Sequence, residues 1–228
     1  MKIAIAMIGE NLHGRTLSNA LTINNIQHQC IIEKNTERSI KRENWLSAAK
    51  HGPKIKSEKI IVSNIDGTTV KKIYNNFDGL VINGGLSILT HAILNKSLCR
   101  FLNVHPGLLP FYRGQNPVQW SVKNLSPLGA TVHFIDEGID TGPILLKKEL
   151  AEFKSKSIRN LRIEILEFSA SLLVEYLKNS SKYPEIFQDP KIGNTYPAYF
   201  SGSAVEAEKR LAPLLKFYPL HKNPKGCK

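Results

Sequence analysis

The chain has 228 residues, of which 42% are hydrophobic, a length that suits one α/β domain with or without a short appendage. No apolar run approaches the roughly 18 residues of a membrane-spanning helix, and the three scattered cysteines form neither a disulfide framework nor a zinc pattern, which favours a reducing cytoplasm. The formal net charge of +12 suits contact with RNA, an acidic membrane or a phosphorylated small molecule, but a lysine-rich solvated surface is the simpler explanation.

The first part of the chain alternates strands with helices. The stretch KIAIAMI at 2–8 predicts a core strand, because it is too short for a secretory signal. Residues 14–24 predict a helix, and QCIIE at 29–33 predicts a second strand. Residues 34–58 are polar and lysine-rich, so we expect a long loop with some helix near Trp45. KIIVS at 59–63 predicts the next strand.

The middle of the chain continues this alternation. A helix is predicted to begin near Asp66. The apolar stretch DGLVING at 78–84 then predicts a strand, and SILTHAIL at 87–94 predicts a short helix. RFLNV at 100–104 predicts another strand, and a helix is expected over 115–123.

The C-terminal part begins with two apolar strands, 129–136 and 143–150, for which we expect antiparallel pairing. A long amphipathic helix follows at about 157–178. The order of elements predicts an α/β fold with a mostly parallel, twisted sheet and helices on both faces. We expect a catalytic domain over 1–180 and an irregular, basic extension over 181–228.

The stretch FLNVHPGLLPFYRG ends a buried strand with two polar side chains. Residues two apart in a strand share a face, so Asn103 and His105 are expected to project together while Val104 faces the core. Pro106 holds the backbone of His105 extended. A held amide and imidazole indicate a reaction site, although a hydrogen-bonded structural histidine is the simpler explanation of N-x-H alone.

The stretch GENLHGRT at 9–16 nearly matches a phosphate-binding loop. It follows a strand and opens a helix, but arginine stands where that motif has lysine, and no magnesium-binding Asp is evident. A helix N-terminus with Arg15 nearby remains a candidate anion site. An ordinary strand-to-helix turn is the alternative.

The loop DEGIDTGP at 136–143 supplies two acids between apolar strands. Asp136 and Asp140 suit a solvated hairpin turn. Because the loop is short, one acid is also expected against the sheet. An amide, an imidazole and a carboxylate brought together suit proton transfer and stabilisation of an oxyanion.

The combination of N-x-H-P, L-L-P, R-G, G-x-T-V-H and D-T-G-P resembles the formyltransferases that use 10-formyltetrahydrofolate. That family includes glycinamide ribonucleotide transformylase, methionyl-tRNA formyltransferase and the sugar N-formyltransferases. The resemblance is good over 78–150 and loose over 1–77. It implies a Rossmann-like formyltransferase fold and a catalytic role for Asn103, His105 and Asp140. Gly107 departs from the serine that is common in the family.

The resemblance also implies a mechanism and a donor site. Asn103 and His105 donate to the oxyanion, while Asp140 accepts a proton, with a pKa that we expect partial burial to raise. The donor is 10-formyltetrahydrofolate, and no metal is expected. The residues expected to line its apolar slot are Leu86, Ser87, Ile88, Leu89, Glu137, Gly138 and Ile139.

The acceptor is less constrained by the sequence. The chain is closest to the sugar N-formyltransferases, because it lacks a glycine- and serine-rich phosphate loop and a long C-terminal domain. This implies a sugar nucleotide substrate, a role in lipopolysaccharide O-antigen biosynthesis and a cytoplasmic location. Arg113 and Gln115 are expected to flank the acceptor, with Arg15 near a diphosphate. The alternatives are transfer RNA, glycinamide ribonucleotide, and a folate- or nucleotide-binding module without turnover; a homodimer is also allowed.

Overall fold

A seven-stranded sheet organises the chain. In the computed structural model, the described residues are 2–34, 52–63, 68–85, 89, 91–95, 97–199 and 209. The helix expected near Trp45 and the helix start near Asp66 lie outside them. The strands are β1 Lys2–Ile8, β2 Gln29–Glu33, β3 Glu58–Val62, β4 Gly79–Asn83, β5 Arg100–His105, β6 Tyr112–Gly114, β7 Gly129–Phe134, β8 Ile144–Glu149 and β9 Asn194–Tyr196.

The helices connect these strands and cover the sheet. They are α1 Leu12–Ile23, α2 Thr68–Asn75, α3 His91–Leu94, α4 Pro117–Lys123 and α5 Ile158–Lys178, with a 3₁₀ turn at Ser180–Lys182. Helix α4 begins two residues later than expected, because Asn116 adopts a left-handed φ of 54° and Pro117 then opens the helix. Among the described residues, no helix has the length and apolar character needed to cross a bilayer.

The strand order is β3-β2-β1-β4-β5-β7-β8. Strands β1 to β5 of this sheet pair in parallel, whereas β7 pairs antiparallel with both β5 and β8. The predicted α/β class, the mostly parallel sheet and the antiparallel last pair are therefore confirmed. The short strands β6 and β9 form a separate parallel ladder.

Two apolar cores lie on opposite faces of the sheet. On one face, α1 and α5 pack against strand residues that include Leu102, Val104 and Val132. On the other face, Tyr74 and Phe77, in and after α2, pack with Ile93 of α3 against the sheet. Side chains alternate across β5 and β7, so Asn103, His105 and His133 face away from the α5 side. This orientation leaves the polar residues of β5 on the face that carries the site.

The described part of the predicted extension, 181–199, contains a strand. Strand β9 pairs with β6, and Ile186 exchanges two backbone hydrogen bonds of 2.8 Å with Ile144 at the start of β8. The boundary at residue 180 stays a prediction.

Candidate active site

Strand β5 carries the first two residues of the site. Asn103 and His105 lie on one face, as expected from their spacing, and Val104 between them is fully buried in the core. His105 is also buried, with 3% of its surface exposed. The turn after His105 is held by Thr131, whose hydroxyl donates to Gly107 O at 2.7 Å and accepts from Leu109 N at 3.1 Å.

Asp140 reaches these residues from the loop 135–143. The chain leaves β7 with Ile135 N bonded to Phe101 O, and the loop then turns back over β5. Asp140 accepts hydrogen bonds from Gly114 N at 2.8 Å and from Asn103 Nδ2 at 3.2 Å. The structure therefore brings together the three residues expected to be catalytic.

The amide of Asn103 is oriented by two acceptors. Its Nδ2 lies 3.1 Å from His133 Nε2 and 3.2 Å from Asp140 Oδ1. His133 Nδ1 lies 2.8 Å from Phe134 O, so Nδ1–H donates to that carbonyl and Nε2 faces the amide of Asn103. One N–H of Asn103 therefore points at His133 and the other at Asp140.

His133 was not predicted as a site residue. It occupies the histidine position of the G-x-T-V-H pattern, and the antiparallel register places it directly opposite Asn103. The register of β7 against β5 was the missing information, because a strand sequence does not reveal which residue it faces.

His105 lies between two oxygen atoms. Its Nε2 is 2.6 Å from Tyr112 O, and its Nδ1 is 3.4 Å from Asp140 Oδ2. Burial lowers the pKa of His105 despite the opposing effect of Asp140. The neutral ring keeps its proton on Nε2 for the Tyr112 carbonyl, so the lone pair of Nδ1 faces the carboxylate.

The pKa of Asp140 differs from the sequence expectation. Burial alone would raise it, as we predicted, but the electrostatic effects of His105 and His133 and the hydrogen bond from Gly114 N–H outweigh burial. The pKa of Asp140 is therefore held well below its usual range, and the prediction of a raised value is wrong. An ionised Asp140 beside a neutral His105 forms a pair that lacks one proton and can accept it from a substrate nitrogen.

His13 is a second histidine close to this pair. It lies in the first turn of α1, and among the described residues its buried Nε2 has no hydrogen-bond partner. Burial and the nearby His105 lower the pKa of His13 to about 4. The sequence analysis noted this residue after β1, but no spacing linked it to His105.

The expected donor slot is described only in part. Leu86, Ser87 and Ile88 lie outside the described residues, while Leu89 is buried in the core beside α3. On the facing loop, Ile139 is 51% exposed, and Asp136 accepts a hydrogen bond from Gly138 N at 3.1 Å. Glu137 joins the loop to α3 through His91 Nδ1 at 2.5 Å. The role of this loop in binding the donor stays a prediction.

The expected acceptor residues differ in burial and in their hydrogen-bond partners. Arg113 is buried and donates to Gln188 Oε1 at 3.0 and 3.2 Å. Gln115 is exposed, and its backbone N–H donates to Tyr196 O. Arg15 is buried, with its Nη1 3.5 Å from Gly52 O. Their contact with an acceptor stays a prediction.

The stretch GENLHGRT forms a tightly packed helix start. Asn11 caps α1 and accepts a hydrogen bond from Gly14 N at 2.9 Å. A Cβ at Gly14 would lie 2.6 Å from Met7 Sδ and 3.0 Å from Gly84 O. Close packing therefore accounts for this glycine, which favours an ordinary strand-to-helix turn over a phosphate loop.

A cavity of about 500 Å³ lies beside the β6–β9 ladder rather than over the three expected catalytic residues. Aromatic side chains line part of it, and Tyr112 and Tyr196 stack with ring centres 5.4 Å apart. Tyr196 also contacts Trp120, at 4.7 Å between ring centres. Within the described part of the chain, no group of side chains is arranged to hold a metal ion.

Comparison by sequence identifies one family. The model of the formyl transferase family matches residues 1–177. The chain is 38% identical over 96 residues to methionyl-tRNA formyltransferase of Thermodesulfovibrio yellowstonii, an alignment that covers 42% of this chain and 31% of that protein. The chain thus spans about a third of the length of the curated relatives it matches.

Comparison by structure gives the same fold. The N-formyltransferase of Helicobacter canadensis, solved with folinic acid and dTDP-3-aminofucose, superposes with a TM-score of 0.62 at 18% identity, covering 96% of this chain and 82% of that chain. A sugar N-formyltransferase from Shewanella superposes with a TM-score of 0.59 at 20% identity, covering 94% of this chain and 87% of that chain. At these identities the likeness establishes the fold.

Proposed function

Because the chain belongs to the formyl transferase family, we propose that it transfers a formyl group from 10-formyltetrahydrofolate to the primary amine of a nucleotide-linked amino sugar. The observation that carries this proposal is the convergence of Asn103, His105 and Asp140. Asp140 lies 3.2 Å from the amide of Asn103 and 3.4 Å from the imidazole of His105.

The proton of the attacking amine is the first requirement of this reaction. The amine nitrogen forms a bond to the formyl carbon and must then lose a proton. The lone pair of His105 Nδ1 accepts it, and the ionised carboxylate of Asp140, 3.4 Å away, stabilises the resulting imidazolium. The Nε2–H bond to Tyr112 O holds the ring in that orientation.

The negative oxygen is the second requirement. As the formyl carbon becomes tetrahedral, its oxygen gains charge that a preorganised donor can stabilise. Asn103 supplies an N–H that otherwise points at His133, and one such donor contributes about 3 kcal/mol. The bond from the formyl carbon to the folate nitrogen then breaks, and that nitrogen takes the proton from His105, which restores the starting state.

The choice of an amino sugar rests on two supports. One structure with the same fold is named a sugar N-formyltransferase, and another, named an N-formyltransferase, was solved with folinic acid and dTDP-3-aminofucose. The aromatic side chains of Tyr112, Trp120 and Tyr196 lie together beside β6, and such groups stack on nucleobases. Formylated amino sugars would serve the O-antigen of lipopolysaccharide.

Transfer RNA is the second candidate acceptor. The matching curated relatives include methionyl-tRNA formyltransferases, with 38% and 34% identity over the aligned parts in the examples from Thermodesulfovibrio and Thermosipho. The net charge of +12 would also attract a polyanion.

A panel of amines tests the proposal. The purified protein is incubated with 10-formyltetrahydrofolate and, separately, with amino-sugar nucleotides, charged initiator transfer RNA, glycinamide ribonucleotide or no amine. The proposal predicts a mass increase of one formyl group on an amino-sugar nucleotide and release of tetrahydrofolate only with that amine. Formylation of transfer RNA alone would favour the second candidate. Turnover without any amine would indicate a formate-releasing hydrolase.

The variant His105→Ala tests whether the site carries out catalysis. It is expected to lower turnover at least about a hundredfold, the usual loss for a proton carrier or oxyanion donor. Binding of tetrahydrofolate, measured by calorimetry, is expected to persist. Near-normal turnover in this variant would contradict the assignment of the site.

A further inference from the structure

The segment 183–199, called here the C-terminal segment, lies beyond the part of the chain that matches the family model, 1–177. One of its side chains approaches the site. Residues 184–187 and 189–191 are exposed, whereas Gln188 between them is half-buried. This side chain therefore turns inward where its neighbours face solvent.

The carboxamide of Gln188 bonds to the loop 135–143, which carries Asp140. Its Nε2 donates to Asp140 O at 3.0 Å and to Gly142 O at 2.7 Å. These carbonyls lie on either side of Thr141, so the amide fixes the backbone at the residue whose carboxylate enters the site. Both N–H groups of the amide are used in this way.

The buried guanidinium of Arg113 sets the direction of that amide. Its Nε and Nη2 donate to Gln188 Oε1 at 3.2 and 3.0 Å. Because an arginine can only donate, the oxygen of the amide must face Arg113 and the nitrogen must face the loop. The orientation of Gln188 is therefore determined by its partners.

Asp140 needs such support, since its φ of 55° lies in the left-handed region. A non-glycine residue in a sparsely populated conformation costs on the order of 1–3 kcal/mol and persists only where its surroundings fix it. Gly114 N holds the carboxylate at 2.8 Å. The neighbouring Arg113 acts through Gln188 on the backbone of the same residue.

We propose that Gln188 is a positioning residue, which holds the backbone of Asp140 so that its carboxylate faces Asn103 and His105. Its effect on turnover rests on the proposed formyl transfer, whereas its effect on the loop does not. If Gln188 only anchored the C-terminal segment, it would make the same hydrogen bonds. Its removal would then leave the carboxylate of Asp140 in place.

Two substitutions test this role against a matched control. Gln188→Ala removes the whole carboxamide. Gln188→Glu keeps an oxygen for Arg113 but places a second oxygen against the carbonyls of Asp140 and Gly142. We expect both to lower kcat by about 10- to 100-fold, since a misplacement of about 1 Å has effects of that size. Phe187→Ala, at an adjacent side chain that is 79% exposed, is expected to leave kcat unchanged.

Coupling to Asp140 separates positioning from general damage. In an Asp140→Asn background, Gln188→Ala is expected to cost less than threefold, because the group that it positions has already lost its function. An equal loss in both backgrounds would overturn the proposal. An unchanged kcat in Gln188→Ala, in an otherwise active enzyme, would overturn it as well.

Hydrogen exchange tests the same inference without turnover. Gly114 N–H donates to Asp140 Oδ2, whereas the next amide, Gln115 N–H, donates to Tyr196 O at 3.0 Å and reports the β6–β9 pairing. In Gln188→Ala we expect exchange of the Gly114 amide to accelerate at least tenfold while that of Gln115 stays unchanged. Unchanged exchange at Gly114, or equal acceleration at both amides, would overturn the positioning role. A wild-type protein that formylates no amine would instead sink the proposed function and leave this result standing.

Discussion

Replacement of Asp140 by asparagine removes the negative charge from the pair of Asp140 and His105, which is proposed to accept the proton. The variant keeps the shape of the side chain, but only one oxygen remains for the two donors, Gly114 N at 2.8 Å and Asn103 Nδ2 at 3.2 Å. The attraction that favours a proton on His105 also disappears. Loss of general-base assistance typically costs about 10²- to 10⁴-fold, so we expect kcat to fall by that factor.

The assay follows formation of tetrahydrofolate under saturating amine and donor. His105→Ala and the double variant complete a cycle, in which the losses are expected to be strongly non-additive because both residues serve one proton. Circular dichroism and thermal unfolding verify that each variant is folded. A loss under tenfold in Asp140→Asn, or losses that simply multiply in the double variant, would refute the shared-proton mechanism.

Three further substitutions probe packing and pH dependence. Gly107→Ser would place its Cβ 2.6 Å from Pro117 Cβ and 3.0 Å from His105 Nε2, so we expect thermal unfolding to show a loss of about 1–3 kcal/mol and kcat to fall. Because the folded-state pKa of His13 is lowered from 6.5 to about 4, stability is lost as pH falls through that window. His13→Asn is expected to remove about 2–3 kcal/mol of this dependence, at 1.4 kcal/mol per pH unit, in urea titrations at pH 7 and about pH 4; an unchanged difference would contradict the assignment. Leu102→Ala, at a fully buried side chain of β5, should lower the free energy of unfolding by about 2–5 kcal/mol, and a loss under 1 kcal/mol would show that the core is loosely packed.

Local patterns predicted most of the fold and two residues of the site. The apolar runs of β1, β4 and β5 marked strands whose observed bounds differ from the expected ones by one residue at most. Alternation along β5 placed Asn103 and His105 on one face. These features depend on residues that are close in sequence, and strand periodicity is a property of the backbone itself.

Features that depend on contacts between residues far apart in the sequence were not predicted. His133 faces Asn103 only through the register of β7, and β9 is a three-residue strand whose partner β6 lies far away in sequence. The lowered pKa of Asp140 results from opposing effects of burial and hydrogen bonds, whose balance requires coordinates. The contacts of Gln188 belong to the same class, because nothing in its exposed surroundings singles it out.

The reversal of strand direction between β5 and β7 divides the sheet into two halves with different roles. A parallel neighbour must be reached by a crossover, whose helix then covers the sheet. The antiparallel β7 and β8 need only the hairpin loop 135–143, and α5 packs against them from one side. The other face of β7 carries His133 beside Asn103 and Asp140, so the polar residues of the candidate site are covered by the loop that holds Asp140 and not by a crossover helix.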